Sequence, residues 1–547
     1  MGKKQKKEID SDVFRLAKPR RKGLLAFIFS RFLIIGVLLG LQIALIVYFC
    51  VKMQEYMPNY LALHVIIALA TIIYLFSNSM DPTSKMTWML IVAALPVMGT
   101  LMLVFTKMNF GNRKVKNRVS ELITATMAAI PQDEQIMKDL GEDGEGTDDL
   151  VKYLNRSGCF PAYKDTDVTY FPVGEDKFEA LLEELKKAEK FIFMEYFIIE
   201  EGYMWGKILE ILVEKVKAGV DVRVMYDGMC EMSTLPPGYF KLLEKQGIKS
   251  KPFSPIMPVL SSHYNYRDHR KILVIDGKVA FNGGVNLADE YINRVERFGH
   301  WKDTAVMLKG PAVTSFTLMF LQMWNIIEET PEFDPWLSLP ANQLEEPETE
   351  TDQQLGSVTD PVPVPQGYVI PYCDDPLDDY KVGETVYMDV LNRADRYVHI
   401  MTPYLILDGE LETAIMYAAQ RGIDVKLILP GIPDKKMAYA LAKSHYKRLT
   451  ETGVQIFEYT PGFVHAKVCV SDDEKAIVGT INLDYRSLYH HFECATYMYK
   501  TGCIGDIEKD FQETLAKCRA VTPETIKKEK IFYKVMGHLM KLIAPLM

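Results

Sequence analysis

Three apolar runs dominate the start of the chain: Phe32–Val51 (FLIIGVLLGLQIALIVYFCV), Tyr60–Phe76 and Met86–Phe105. Each reads as a membrane-crossing helix, which takes roughly 20 residues. A short polar turn, Asn78–Lys85, separates the last two. A cleaved signal peptide accounts for the first run but not for the next two, and no small-residue cleavage site follows it. The pattern predicts N-terminal transmembrane helices over 32–106, preceded by a basic tail over 1–31.

Farther along, the periodicity changes twice in the same way. β-rich runs at Phe191–Ile199 and Tyr397–Tyr404 are each followed by apolar residues at helical spacing. These are Ile208, Ile211, Leu212 and Val216 in the first copy, and Leu411, Ile415 and Ala418 in the second. Each helix leads into a matching strand, AGVDVRVMYDG at Ala218–Gly228 and RGIDVKLILPG at Arg421–Gly431. This alternation predicts an α/β fold in two halves, 161–327 and 367–520, each a sheet flanked by helices, with a site where the halves meet.

The intervening segment 328–366 (EEPETETDQQ, then DPVPVPQG) is acidic and Pro-rich, with little to bury, and reads as a linker. Residues 107–160 read as a connector with some helix. In the C-terminal segment 521–547, Ile531, Val535, Leu539 and Ile543 share one helical face, with Lys534 and Lys541 elsewhere. Such an amphipathic helix suits either a bilayer surface or a seat on the soluble part.

Charge narrows the function. With 63 Lys and Arg against 72 Asp and Glu, the net charge of −9 argues against nucleic acid as a partner. The 8 cysteines form no C-x-x-C pair, so no structural zinc is expected, and Cys469, inside an apolar run, reads as a buried hydrophobe. Lys3, Lys4, Lys6, Lys7, Arg20, Arg21 and Lys22 set the N-terminus on the cytoplasmic side. Three full spans would then place the remainder outside. Yet Lys107, Arg113, Lys114, Lys116 and Arg118 after the last apolar run ask for the cytoplasmic side, so either one run does not cross or this cluster is overruled. The catalytic part is expected on the cytoplasmic side.

The chemistry resides in a duplicated motif. The first copy runs His269-Arg-Lys271-Ile-Leu-Val-Ile-Asp276 and then Gly283-Gly284-Val-Asn286. The second runs His465-Ala-Lys467-Val-Cys-Val-Ser-Asp472 and then Gly479-Thr480-Ile-Asn482, with identical spacing. Strand periodicity puts His and Lys on one face, and the small pair is expected to let backbone approach a ligand. Displacement at a phosphodiester needs a nucleophile on one side of phosphorus and an acid on the other, which two imidazoles supply. Lys271, Lys467, Asn286 and Asn482 are the donors for the charge on the non-bridging oxygens, without a metal or cofactor. Each imidazole also needs a carboxylate to hold it, and Asp303 and Glu493 are the candidates. Asp276 and Asp472, at the strand ends, are expected to brace a loop or pair with a lysine in preference to moving protons.

These residues resemble the phospholipase D superfamily, and within it the bacterial cardiolipin synthases. The likeness runs from Tyr60 to the C-terminus, through MEYFII at Met194–Ile199, YRDHRKILVIDGKVAFNGGVNLADEY at Tyr266–Tyr291 and GIPDKK at Gly431–Lys436. Its strongest stretch is TPGFVHAKVCVSDDEKAIVGTINLDYRS at Thr460–Ser487. The resemblance implies two phospholipase D-like halves and a catalytic set of His269, Lys271, Asp276, His465, Lys467 and Asp472. It implies a metal-independent condensation of two phosphatidylglycerols into cardiolipin and glycerol, through a phosphohistidine that the superfamily's usual assignment places on His269. The expected setting is the bacterial plasma membrane.

Hydrolysis by the same machinery, a membrane-bound nuclease and an inactive scaffold are the competing readings. The acidic charge disfavours the nuclease, and both histidines and both lysines being present disfavours the scaffold. Trp301, Tyr264 and Tyr266, near the first motif, are expected in core packing, with a lipid-lining role as the alternative.

Overall fold

The computed structural model describes residues 61–546 apart from 108–109, 128, 255–265 and 338–365, with 14–17 and scattered positions between 40 and 52. Most of the run Phe32–Val51 and of the linker, and Tyr264, lie outside the described residues.

The first half contributes β1 (Asp167–Phe171), β2 (Phe191–Tyr196), β3 (Asp221–Asp227), β4 (Lys249–Phe253), β5 (Arg267–Asp268), β6 (Lys271–Ile275), β7 (Val279–Gly283), β8 (His300–Lys302) and β9 (Ala305–Lys309). The second contributes β10 (Tyr368–Asp374), β11 (Tyr397–Met401), β12 (Asp424–Pro430), β13 (Gln455–Tyr459), β14 (Gly462–Val464), β15 (Val468–Ser471), β16 (Lys475–Gly479), β17 (His491–Tyr499) and β18 (Cys518–Ala520).

The sheet orders are β1-β9-β7-β6-β2-β3-β4 and β10-β17-β16-β15-β11-β12-β13-β18, the same plan twice with one strand added. Each sheet is mixed: β2–β3–β4 and β11–β12–β13 run parallel, and the motif hairpins β6–β7 and β15–β16 are antiparallel. The anticipated helices are Tyr203–Lys217 and Gly409–Gln420, each burying its apolar stripe.

The halves share one core. Phe193, Ile272 and Val274 from the first sheet join Val468, Val470 and Ile477 from the second in a continuous buried cluster. Such burial fixes the register of every strand carrying a motif, because a slip of one residue would turn the apolar set outward.

Three expectations need correction. First, among the described residues no helix is long and apolar enough to cross a membrane. Helix Leu61–Ser77 has 17 residues, and the run Met86–Phe105 is divided into Pro82–Ala94 and Pro96–Lys107. Pro96 has no amide hydrogen and its ring opposes a continuing helix, so the first helix ends before it, with Leu95 at φ −136°.

Second, the connector is largely helical and packed: Phe110–Thr126, Glu134–Asp143 and Thr147–Gly158 bury Leu140, Val151 and Leu154 completely. Third, the linker begins later than its composition suggests. Trp336 sets its ring 5.3 Å from Phe191 and 5.4 Å from Phe193, so residues up to 337 belong to the first half.

The C-terminal helix Ile531–Lys541 has its seat on the soluble part, one of the two alternatives raised for it. Gly537 and Met540 face the body, while Ile531, Val535, Leu539 and Ile543 are exposed.

Candidate active site

Two short parallel pairings between the halves build the site. β5 lies beside the start of β17, with Arg267 opposite His491 and Asp268 opposite Phe492. β14 lies beside β8, with Phe463 opposite Trp301 and Val464 opposite Lys302. One step further along each register brings His269 opposite Glu493 and His465 opposite Asp303. The backbone confirms the step: His269 N donates to Phe492 O at 2.9 Å, and His465 N donates to Lys302 O at 2.7 Å.

The carboxylates are therefore exchanged. His269 Nδ1 lies 2.9 Å from both oxygens of Glu493, and His465 Nδ1 lies 2.6 Å from Asp303 Oδ2. Each imidazole is held by an acid of the other half. With Nδ1 occupied, Nε2 is the nitrogen left to react. Both acids are fully buried and both histidines nearly so.

The carboxylates sit over the positions that follow Gly283 and Gly479. A Cβ on Gly284 would stand 2.0 Å from Asp303 Oδ1, so glycine is what admits that carboxylate. At the equivalent point of the second half, the Thr480 hydroxyl donates to Glu493. A Cβ on Gly283 would stand 2.5 Å from Thr304 O and from Ala305 Cα, so its smallness serves strand packing and not, as the sequence suggested, the approach of a ligand.

Both lysines point the same way. Lys271 Nζ donates to His269 O at 2.6 Å, and Lys467 Nζ to His465 O. Lys467 Nζ is also 2.9 Å from His465 Nδ1, but that nitrogen, turned to Asp303, has its hydrogen to donate and no lone pair to give. Burial lowers Lys271 to about 8 and Lys467 to about 7. Burial, with Lys467 beside it, brings His465 down to about 4. Burial also sets His269 well below the ordinary imidazole range, helped by Lys271, His491, Lys467 and His465. These groups share one electrostatic pocket, in which each cation opposes the protonation of its neighbours. Burial drives Glu493 upward against the pull of Lys271.

The structure does not bring every expected residue to this point. Asp276 and Asp472 lie at the far ends of β6 and β15, in the left-handed region at φ 54° and 59°. Asp276 accepts from the amides of Glu189, Lys190 and Phe191 at 2.7–2.8 Å. Asp472 accepts from those of Asp395, Arg396 and Tyr397 at 2.8–3.0 Å. Both therefore staple the motif hairpin to the neighbouring strand, the brace anticipated for them, and reach no imidazole.

Asn286 is likewise engaged: its Oδ1 accepts from Ile198 N at 3.0 Å and its Nδ2 donates to Tyr291 OH at 2.8 Å. Asn482 Oδ1 is buried without a hydrogen-bond partner among the described residues.

Aromatic walls were not legible in the motif. Phe197 stands edge-on to His269 at 4.8 Å between ring centres, and Tyr291 edge-on to His465 at 5.4 Å. Trp301 is buried, as expected, but its ring is 5.5 Å from His465, so it is core and wall together. The Tyr266 ring lies 6.4 Å from that of His490.

His491 was also missed: its ring is 5.4 Å from that of His269, and both its nitrogens are buried without a hydrogen-bond partner among the described residues. The signal was present, since His491 stands two residues before the Glu493 already selected. One ligand atom each from His269, His491 and Glu493 lie within 4.8 Å of one another, a set able to take a metal ion.

Comparisons with known proteins agree with the geometry. The profile of the family described as "Cardiolipin synthase, PLD-like domain" matches residues 181–324 and 387–515. An uncharacterised protein of Streptococcus mutans serotype c is 57% identical over 479 residues, covering 88% of this chain and all of its own. A cardiolipin synthase of a Geobacillus species is 30% identical over 489 residues, covering 89% of this chain and 94% of its own. The crystal structure of Haemophilus influenzae phosphatidylserine synthase superposes with a TM-score of 0.51 at 14% identity, covering 69% of this chain and 93% of that one. That likeness concerns the fold.

Proposed function

We propose, on the premise that the chain belongs to the phospholipase D-like family of cardiolipin synthases and is a phospholipid phosphatidyltransferase, that it joins two phosphatidylglycerols into cardiolipin and releases glycerol. The observation that supports this reading is the exchanged pairing, which holds both imidazoles by Nδ1 and leaves each Nε2 for the chemistry.

In the proposed first step His269 Nε2 attacks phosphorus, the P–O bond to the glycerol headgroup breaks, and His465 supplies the proton that glycerol carries away. In the second, His465 takes the proton of a hydroxyl on another phosphatidylglycerol as that oxygen attacks the phosphohistidine and His269 departs. Lys271 and Lys467 stabilise the non-bridging oxygens throughout. Asn482 is the better of the two asparagines to touch substrate, since Asn286 is committed to Ile198 and Tyr291. Its buried Oδ1, unpartnered among the described residues, is suited to accept from a substrate hydroxyl.

We also propose that the helices over 61–107 hold the enzyme in the bacterial plasma membrane with the site on the cytoplasmic side. Val65, Ile66, Leu69, Ile73, Leu90 and Leu101 are exposed there, an apolar surface water does not favour. Labelling an introduced surface cysteine in intact cells and in lysed cells tests the side.

Purified enzyme given phosphatidylglycerol alone tests the reaction. Cardiolipin and glycerol in equal amounts are expected. Phosphatidic acid as the main product would replace this reading with that of a hydrolase. Mapping acid-labile phosphate trapped on a histidine decides the nucleophile, and a label on His465 would reverse the roles.

A further inference from the structure

Away from the histidines, the C-terminal helix Ile531–Lys541 lies on the helix Lys436–Glu451. A Cβ on Gly537 would stand 2.4 Å from Ala440 O, so glycine is what lets the two backbones approach. The outer side exposes Ile531, Phe532, Val535, Leu539 and Ile543. At its end Leu542 O accepts from Thr87 Oγ1 at 2.8 Å, which ties this apolar side to the N-terminal helices.

Between the helix and the body lies a cavity of about 1070 Å³, with nine Lys or Arg and three Glu on its walls. The acids are already taken. Glu458 holds Lys443 at 3.1 Å and Arg519 at 2.5 Å, Glu529 also holds Lys443, and Glu451 lies 3.8 Å from Lys447. Among the described residues Lys527, Lys528, Lys530 and Lys541 have no carboxylate in ion-pair contact. The segment 521–547 has Lys527, Lys528, Lys530, Lys534 and Lys541 against Glu524 and Glu529, in a chain whose net charge is −9. Burial depresses the Lys541 ammonium, and nearby Arg448 adds to this against the pull of Glu412. Cations concentrated in this way on an acidic protein ask for an anion.

We propose that this basic cavity binds the phosphate of an anionic phospholipid, with its acyl chains along the exposed apolar side of the C-terminal helix, as a docking site separate from the histidines. A free phosphate has the same headgroup chemistry but no use for the apolar side. An acidic peptide likewise leaves Ile531, Val535 and Leu539 exposed to water. A lipid matches both surfaces.

The test uses full-length enzyme in detergent carrying His269→Ala and His465→Ala, so that nothing turns over. Native mass spectrometry counts retained dioleoylphosphatidylglycerol, against dioleoylphosphatidylcholine, inorganic phosphate and poly-glutamate as separate probes. Lys527→Glu, Lys528→Glu and Lys530→Glu together are expected to remove one phosphatidylglycerol per chain, and the three Arg replacements to keep it. Lys541→Gln alone is expected to weaken it several-fold, which covers a failure of the triple variant to fold. Lipid remaining at the histidine site is counted separately, so loss of one site is distinguishable from loss of the other. Unchanged retention in the Glu variant would overturn the proposal. So would equal retention of phosphatidylcholine, or binding of inorganic phosphate or poly-glutamate where the lipid does not bind.

Discussion

His269 and Glu493 stand 224 residues apart in the chain, yet Nδ1 of the one lies 2.9 Å from both carboxylate oxygens of the other. The reciprocal pair, His465 and Asp303, closes at 2.6 Å. Neither half can orient its own histidine. Glu493→Gln and Asp303→Asn keep shape and packing but replace an acceptor with a group that also presents N–H to the ring. Each is expected to lower turnover by roughly 10²–10⁴-fold, the scale of losing a histidine's orienting carboxylate. Steady-state rates beside thermal melts check it, and full activity in either variant would detach the carboxylate from the chemistry.

Gly284 gives a steric version of the same test. A methyl group there falls 2.0 Å from Asp303 Oδ1 and must move a carboxylate that is fully buried. Gly284→Ala is therefore expected to lose activity on the scale of Asp303→Asn. Thr480→Ala at the equivalent place removes only a hydroxyl donated to Glu493, and a loss of about tenfold is expected. Equal effects of the two would mean that the halves are not differently built at this point.

Much of this was legible in the residues. The period-two runs and amphipathic helices gave the strands and their flanking layers, the duplicated spacing gave the histidines and lysines, and the need of each imidazole for an orienting acid pointed to Asp303 and Glu493. The exchange of carboxylates was not legible, because it depends on β5 pairing with β17 and β14 with β8, contacts between distant segments two or three residues long. Hydropathy likewise marked Met86–Phe105 as one run. It averages over Pro96, whose missing amide hydrogen and ring, not its polarity, divide the helix.

Turnover should follow a bell in pH. In the free enzyme His465 takes its proton at about 4, and Lys467 and Lys271 lose theirs at about 7 and 8. His269 must be neutral to attack, so the acid limb of kcat/KM is set by its imidazole, held well below the ordinary range. kcat/KM is expected to decline as pH rises through about 4, where His465 loses the proton it gives to glycerol, and further from about pH 7 as the lysines lose theirs. A bound phosphodiester anion favours charged lysines, so the alkaline limb of kcat should lie higher than that of kcat/KM. Coincident alkaline limbs would remove the lysines from contact with substrate. Stability follows the imidazole in the opposite sense to a salt-bridged histidine. Folded His465 stays neutral down to about 4, while the unfolded chain binds a proton near the ordinary ~6.5. Its contribution is full above that value and is lost as pH falls towards 4.

Zinc is expected to inhibit, since His269, His491 and Glu493 together offer three converging ligand atoms. Binding there would consume the nucleophile. Micromolar Zn²⁺ should abolish turnover in the wild type, His491→Ala should weaken the inhibition by at least tenfold, and chelator should leave the basal rate unchanged. Loss of activity on chelation, restored by added metal, would show that the reaction uses an ion.

The motif aspartates separate stability from chemistry. Asp472 accepts three backbone amides across the hairpin, and these outweigh the upward push of burial to hold its carboxyl below the usual range. Alanine strands those donors, at about 1–3 kcal/mol for each one left unsatisfied, so Asp472→Ala is expected to lose about 3 kcal/mol of stability. Asp276→Ala, which strands the amides of Glu189, Lys190 and Phe191, should match it. The Asp472 carboxyl is depressed in the fold, so its contribution is present above the unfolded value of ~3.9 and lost as pH falls through that range. The melting difference between Asp472→Ala and the wild type should accordingly shrink below about pH 4. Per folded molecule, kcat should stay within a few-fold of the wild type. A fall of several orders in kcat with an unchanged melt would instead place these carboxylates in the reaction.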